Sequence, residues 1–204
     1  MNQVVQATQK EAQVTAVKAP ALGNPGPIGL LGFGMTTILL NLHNAGFFPV
    51  TSIIVAMGIF YGGMAQIIAG TLEYRRGNTF GMTAFVSYGF FWITLVGIWL
   101  LPALGLPHVQ KPSGAGMASF MTVWGVFSAF MFYGTLNSNK MLQFVFGSLV
   151  VLFGLLALHF ALESETLGLI AGYEGIICGA SAFYLGVAEV LNEKCGRHVL
   201  PIGE

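Results

Sequence analysis

Long apolar stretches, separated by short polar connectors, run through most of the chain. Six of them reach the length of a membrane-spanning helix, about 20 residues for roughly 30 Å of hydrocarbon. They cover residues 27–47, 50–72, 80–101, 116–136, 141–162 and 167–191. The connectors carry charges, Pro, Gly or Asn, as in EYRRGN at 73–78 and NSNK at 137–140. This pattern predicts an all-α, polytopic membrane protein with six transmembrane helices.

The composition agrees with a chain that folds in lipid. Of 204 residues, 55% are hydrophobic and 8% are charged, whereas about 25% of a soluble domain is charged. No connector is long enough to form a second domain. We therefore predict an N-terminal tail over residues 1–23, a transmembrane domain over 24–192 and a C-terminal tail over 193–204.

The distribution of cations predicts the orientation, because Lys and Arg near helix ends are retained on the cytoplasmic side. With the N-terminus inside, only Lys111 lies outside. The inside then carries the other Lys and Arg residues, namely Lys10, Lys18, Arg75, Arg76, Lys140, Lys194 and Arg197. We expect both termini in the cytoplasm and the protein in the bacterial inner membrane.

Several functional classes are excluded at this point. The formal net charge is +0, so no basic field attracts nucleic acid. Cys178 and Cys195 form neither a CxxC pair nor a metal-ligand spacing, so no metal site is expected. Ser181 lies in a Gly-x-Ser context, yet only His198 follows it as a base, and that residue is in the tail. We expect no enzyme and no cofactor.

An unusual motif, Asn24-Pro25-Gly26-Pro27, stands where the polar tail meets the first helix. Asn24 suits a helix cap, and Pro27 suits the first turn because its missing N–H would be unpaired there. A bare helix N-terminus attracts a carboxylate through its free N–H groups and its dipole. Asn24 and Pro25 are therefore candidate substrate-binding residues. The alternative is that Pro and Gly only begin the helix and permit tight packing.

Neutral polar side chains lie within the predicted spans, where each is costly unless it faces protein, water or a ligand. Thr37, Asn41, Gln66 and Tyr88 are candidates to bind a solute. Thr37 and Asn41 share a helical face with residues 33 and 44; for Asn41 an interhelical hydrogen bond is the alternative. A pathway of hydroxyls and amides without a fixed cation favours a small weak acid over a multivalent anion.

Glu174 and Glu189 fall within or near the ends of the last helix and are the candidates for proton coupling. Glu73, next to Arg75 and Arg76, is expected in an ion pair.

Small residues recur at four-residue spacing in the second helix (58 and 62) and the last (171, 175, 179, 182 and 186). We interpret these faces as packing surfaces, within or between subunits.

The strings NPGPIGLLGFGMTTILLNLHN, AMGIFYGGMAQIIAGTLEYRRGNTFG, LQFVFGSL and EVLNEKCGRHVLPIGE resemble the acetate uptake transporter family of bacterial succinate/acetate permeases. The resemblance runs from about residue 24 to the end. Gly26 and Ile28 stand where the family motif has Ala and Leu. The resemblance implies a homo-hexamer of six-helix subunits, each with its own solute pathway, and it implies that transport is coupled to protons. It also implies a hydrophobic constriction of Phe33, Tyr88 and Leu149; the resemblance alone singles out Leu149.

We therefore expect a permease or channel in the lipid bilayer for acetate and other short carboxylates such as succinate. One alternative keeps the fold and changes the cargo to a small neutral solute, such as urea or undissociated acid, in a passive channel. Another is a signalling or scaffold membrane protein whose Gly faces bind partners.

Overall fold

The computed structural model describes residues 22–203, and the regular elements in this part of the chain are all helical. The long helices are α1 (Gly26–Asn44), α2 (Ser52–Arg75), α3 (Thr79–Leu100), α4 (Gly114–Gly134), α5 (Lys140–Leu162) and α6 (Glu165–Cys195). Each lies within a few residues of its predicted stretch, so the all-α, six-helix prediction is confirmed. The predicted N-terminal tail over 1–23 lies outside the described residues except for its last two.

Helices α2 to α6 are each long and apolar enough to cross a membrane. Helix α1 has 19 residues and falls outside that group. Its polar side chains Thr36, Thr37 and Asn41 are buried among the other helices. Because α1 is shielded by protein rather than lipid, it tolerates the polar residues that a lipid-facing helix would not.

Glycines let α1 approach its neighbours at backbone distance. A Cβ on Gly34 would lie 2.6 Å from the amide nitrogen of Phe183 in α6. A Cβ on Gly179 would lie 2.8 Å from the carbonyl oxygen of Gly34. On the other side, a Cβ on Gly62 of α2 would lie 2.8 Å from the side chain of Thr36. The small-residue faces therefore serve packing inside one subunit, as predicted.

Helix α2 contains a π-helical segment, Met57–Ala65, that the apolar pattern did not reveal. Gly58 and Gly63 of this segment pack against Val96 and Ile93 of α3. A π-helix adds residues to each turn and so turns the following side chains relative to an ordinary α-helix. The segment is followed directly by Gln66, whose side chain is completely buried.

The start of α1 and the end of α6 meet at one end of the bundle, where Asn24 Nδ2 donates to Glu189 Oε2 at 3.0 Å. Arg76 Nη1 also bonds Asn24 there, and Lys194 lines a surface cavity together with Asn24. We call this the basic end. Lys111 lies in the connector between α3 and α4, at the far end. The clustering agrees with the charge count, and the cytoplasmic side of the basic end stays a prediction.

The residues after α6 fold back onto the basic end. Helix α6 continues to Cys195, three residues past the predicted domain limit at 192. Asn192 Oδ1 then accepts the N–H groups of Val199 and Leu200. The amide nitrogens of Lys140 and Met141 donate to the carbonyl oxygens of Gly203 and Ile202, at 2.8 and 3.0 Å. The predicted tail thus satisfies free N–H groups at the start of α5.

The contact between α1 and α6 gives a stability prediction. Gly179→Ala places a methyl group against the backbone of Gly34 and Ile38, and we expect a loss of about 1–3 kcal/mol from overpacking. Gly154→Ala is the matched control, because nothing lies within 4 Å of its Cβ and alanine favours a helix by about 1 kcal/mol. Thermal unfolding in detergent measures both. Equal midpoints for the two variants would contradict the packing assignment.

Candidate functional site

Two adjoining cavities lead inward from the basic end between α1, α2, α3, α5 and α6. The basic-end cavity has a volume of about 170 Å³ and is lined by Asn24, Gly26, Leu30, Glu73, Arg76, Asn78, Phe80, Gly81, Ala84, Phe85, Leu142, Phe146 and Glu189. The neck cavity has a volume of about 30 Å³ and is lined by Leu30, Phe33, Gln66, Ala84, Phe85, Tyr88, Val145, Phe146 and Leu149. They share four lining residues and therefore adjoin.

The neck cavity is narrow and mostly apolar. Its 30 Å³ hold roughly two water molecules. Phe33, Tyr88 and Leu149 lie around it with 7%, 3% and 3% of their surface exposed, and the ring centroids of Phe33 and Tyr88 are 6.1 Å apart. The structure therefore brings the three residues of the expected constriction together around one space. Their role as a gate stays a prediction.

Tyr88 is held in one position by its surroundings. Its hydroxyl shares a hydrogen bond of 2.9 Å with Ser128 Oγ of α4. Its ring contacts Phe127 and Phe146, at centroid distances of 5.5 and 6.1 Å. A ring fixed by a hydrogen bond at one end and by aromatic contacts along its length forms a rigid wall for the neck.

Gln66 is the one amide that lines the neck. Its side chain is completely buried, and neither its Nε2 nor its Oε1 has a hydrogen-bond partner among the described residues. A buried amide without partners costs about 1–3 kcal/mol. Thr37 Oγ1 is also buried and unpartnered within residues 22–203. Both were predicted from the sequence as solute-binding residues; Gln66 lines the neck and Thr37 does not, and their binding role stays a prediction.

Asn41 is bonded within its own helix. Its Nδ2 donates to the carbonyl oxygen of Thr37 at 2.9 Å, and its Oδ1 accepts from Asn44 Nδ2 at 3.0 Å. Its side chain also packs against Gly175 of α6. The interhelical hydrogen bond considered as the alternative is not among its bonds in the described part of the chain.

A third cavity, of about 530 Å³, opens at the far end. Asn44, His43 and His159 are among its lining residues. The face of α1 that carries residues 33, 37, 41 and 44, which we call its polar stripe, therefore runs from the neck, lined by Phe33, to this far-end cavity, lined by Asn44. Cavities consequently lie on both sides of the neck along α1.

Glu174 of α6 bonds to a residue beside the neck. Its Oε1 accepts a hydrogen bond from Ser148 Oγ of α5, and Ser148 directly precedes Leu149. The other oxygen, Oε2, is buried without a partner among the described residues. Ser148 was not predicted, because one hydroxyl in an apolar helix carries no signal of its own.

Asn24 joins three elements at the basic end. Its Oδ1 accepts from Arg76 Nη1 at 2.6 Å and from the amide of Gly26 at 3.1 Å, while its Nδ2 donates to Glu189. The residue in the N-cap position is Pro25. Asn24 precedes it, yet its side chain accepts from the first helical N–H, as a cap does, and also reaches across to α2 and α6.

A cation lines the basic-end cavity, although the predicted spans themselves contain no Lys or Arg. Arg76 lines the basic-end cavity and lies 3.7 Å from Glu73 Oε1, which confirms the predicted ion pair. Glu73 is buried and also accepts from Asn78 Nδ2 at 2.9 Å. Pro25 lines a different cavity, on the surface beside Arg75, and of the other predicted site residues only Asn24 lines it too.

No group of three His, Cys, Asp or Glu side chains within residues 22–203 is placed to hold a metal ion. Cys178 is buried and Cys195 is exposed, and neither forms a disulfide. The chemistry that the described site offers is hydrogen bonding, charge and exclusion of water.

Comparisons with known proteins agree with this geometry. A model of the GPR1/FUN34/yaaH family matches residues 6–202. The succinate-acetate/proton symporter SatP of Escherichia coli (strain K12) is 60% identical over 183 residues, which are 90% of this chain and 96% of the relative. A solved structure of the bacterial acetate channel SatP is similar with a TM-score of 0.88 at 59% identity, covering 90% of this chain and 100% of that one.

Proposed function

The chain belongs to the GPR1/FUN34/yaaH family, and we propose that it is a permease for acetate and other short carboxylates, including succinate. It acts in the bacterial inner membrane, without a cofactor and without catalysing a reaction. The observation that carries this function is the narrow neck, with an unpartnered buried amide at Gln66, between polar cavities. Relatives named as a symporter and as a channel for acetate support the cargo.

The solute pathway follows α1 through the subunit. A carboxylate enters a cavity at either end, loses part of its water at the neck, and passes between Phe33, Tyr88 and Leu149. An apolar neck excludes hydrated ions, because their water cannot be replaced there. Gln66, whose buried amide has no partner among residues 22–203, is the candidate to hydrogen-bond the carboxylate at this point. A small solute with one polar end meets both conditions.

Proton coupling is part of the proposal, with Glu174 and Glu189 as its candidates. Each lies beside the pathway rather than in bulk water, since Glu174 is bonded to Ser148 and Glu189 to Asn24. A charged carboxylate is costly in such surroundings unless it is paired, so protonation and solute passage affect each other there. The two carboxyls lie towards opposite ends of α6, one beside the neck and one at the basic end.

The cavities lie within a single chain, so each subunit carries its own pathway. The homo-hexamer implied by the resemblance then increases the number of pathways without forming a new one. Exposed apolar side chains such as Phe60, Phe130 and Tyr133 are suited to contact with lipid or with neighbouring subunits.

A passive channel for a small neutral solute is the second candidate function. It is favoured by the neck itself, whose lining contains no charged residue. The scaffold interpretation is less favoured, because the Gly faces are already used inside the subunit.

Flux in proteoliposomes tests the proposed function. We expect radiolabelled acetate to enter faster when an inward proton gradient is imposed, and unlabelled succinate to compete. Protein-free liposomes under the same gradient correct for diffusion of undissociated acetic acid. Acetate flux that does not change with the proton gradient would favour the passive channel. Absence of flux above the protein-free level would contradict a permease.

Leu149→Ala tests the neck. Shortening this side chain widens a space of about 30 Å³, so we expect butyrate to gain roughly tenfold in uptake relative to acetate, equivalent to about 1.4 kcal/mol in barrier. Leu152→Ala is the matched control, because Leu152 is equally buried in α5 and does not line the neck. Unchanged selectivity in Leu149→Ala, or the same change in both variants, would contradict the gate.

Glu174→Gln tests proton coupling beside the neck. The amide keeps the size of the side chain and an acceptor for Ser148, yet it cannot ionise. If Glu174 carries the proton, acetate flux persists but no longer responds to the proton gradient. Glu163→Gln, at the exposed C-terminal end of α5, controls for loss of a carboxylate at the far end. A normal gradient response in Glu174→Gln would remove Glu174 from the coupling mechanism.

A further inference from the structure

Hydrogen-bond donors for a carboxylate converge in the basic-end cavity. Arg76 and Asn24 supply a guanidinium and an amide N–H, both on residues that line the cavity. A guanidinium carries five N–H donors in a planar fork that matches a carboxylate. In the structure Arg76 makes one bond to Asn24 Oδ1 and one longer ion-pair contact to Glu73. Most of its donor capacity is therefore not used by these two contacts.

The protein's own carboxylate occupies part of this site. Glu189 Oε2 accepts from Asn24 Nδ2 at 3.0 Å, which is the bond that the carboxylate of a bound solute would make. Glu189 reaches this position from the end of α6, 165 residues away in the chain. A resident carboxylate on these donors competes with any carboxylate that enters the cavity.

The charges around Glu189 make this competition sensitive to protons. Glu73 and Arg76 face it from α2, Glu193 lies one turn further along α6, and Asn24 and Asn78 are its neutral neighbours in the cavity. The cavity lining itself carries one cation and two carboxylates. With both carboxylates ionised the lining has a net charge of −1, which repels an anionic solute.

We propose that Arg76 and Asn24 bind the transported carboxylate at the basic end, and that Glu189 yields its place to the solute when it takes up a proton. Water delivers the proton to the Glu189 carboxylate, whose bond to Asn24 then loses its charge assistance. The lining then has no net charge, and the solute carboxylate accepts hydrogen bonds from the Asn24 amide and the Arg76 guanidinium. Release of the solute lets Glu189 return its proton to water.

This inference rests on the proposed function. It names the groups on that pathway that bind the solute and the group that makes this binding depend on a proton. One proton is taken up for each carboxylate admitted, because the same donors serve Glu189 and the solute in turn. Arg76 then determines affinity, while Glu189 determines how that affinity depends on pH.

Arg76→Gln and Arg75→Gln form a matched pair that tests the binding site. The two residues are adjacent and both exposed, yet of the two only Arg76 lines the basic-end cavity. We expect Arg76→Gln to raise the half-saturation concentration of acetate about tenfold at the basic end, as loss of a charge-assisted bond does. Arg75→Gln stays within about twofold of the unmodified protein, and Arg76→Lys recovers part of the loss.

Glu189→Gln tests the competition, because it places a permanently neutral side chain on Asn24. Its half-saturation concentration for acetate at neutral pH should match the value that the unmodified protein reaches only at acidic pH, and it should not change with pH. Glu193→Gln removes a nearby carboxylate that does not line the cavity, and it should keep the pH dependence.

All variants are reconstituted from a single monodisperse peak with an unfolding midpoint near that of the unmodified protein. Equal effects of Arg76→Gln and Arg75→Gln would overturn the binding site. Persistence of the normal pH dependence in Glu189→Gln would overturn the competition. Absence of acetate flux from the unmodified protein would instead refute the proposed function, so the two failures are distinguishable.

Discussion

The close contact of α1 with α6 determines where the polar groups of the pathway lie. Gly34 and Gly179 meet at backbone distance, so no side chain separates the two helices over that stretch. Helix α1 is thereby drawn inside the bundle, and its polar stripe faces protein and cavities instead of lipid. A side chain in place of either glycine would move α1 outward, and the neck residues on α1, α3 and α5 would lose their common space.

The neck is narrow, and of the two candidates for proton coupling one lies beside it and the other at the basic end. Glu189 lies at the basic end, and Glu174 is bonded beside Leu149. A chain of water through the neck would conduct protons between the two ends without any solute. A space for roughly two water molecules among aromatic and aliphatic side chains does not hold such a chain. The small volume of the neck therefore makes tight coupling physically feasible.

Most of the fold was predictable, because apolar stretches and glycine spacing are local properties of a chain in lipid. The limits of the six helices and the packing role of Gly62 and Gly179 follow from such local patterns. The π-helical segment before Gln66, which packs between α1 and α3, was not predictable, since the apolar pattern of α2 does not distinguish it. Leu149 is one apolar residue among many in α5, and only resemblance to a known family distinguished it.

Of the proposed basic-end site, Asn24 and Glu189 were candidates from the sequence, and Arg76 was missed for a related reason. Arg76 next to Glu73 looks like an ordinary interfacial ion pair, and that pair exists; its second contact, to Asn24, spans 52 residues. Some relatives are named as a symporter and others as a channel. Both names are compatible with one structure if the neck is rigid and a proton controls the admission of solute at the basic end. A rigid neck passes solute as a channel does, whereas exchange of carboxylates on Asn24 makes admission of the solute at the basic end depend on a proton. This dependence requires no large movement of helices, only the replacement of one carboxylate by another.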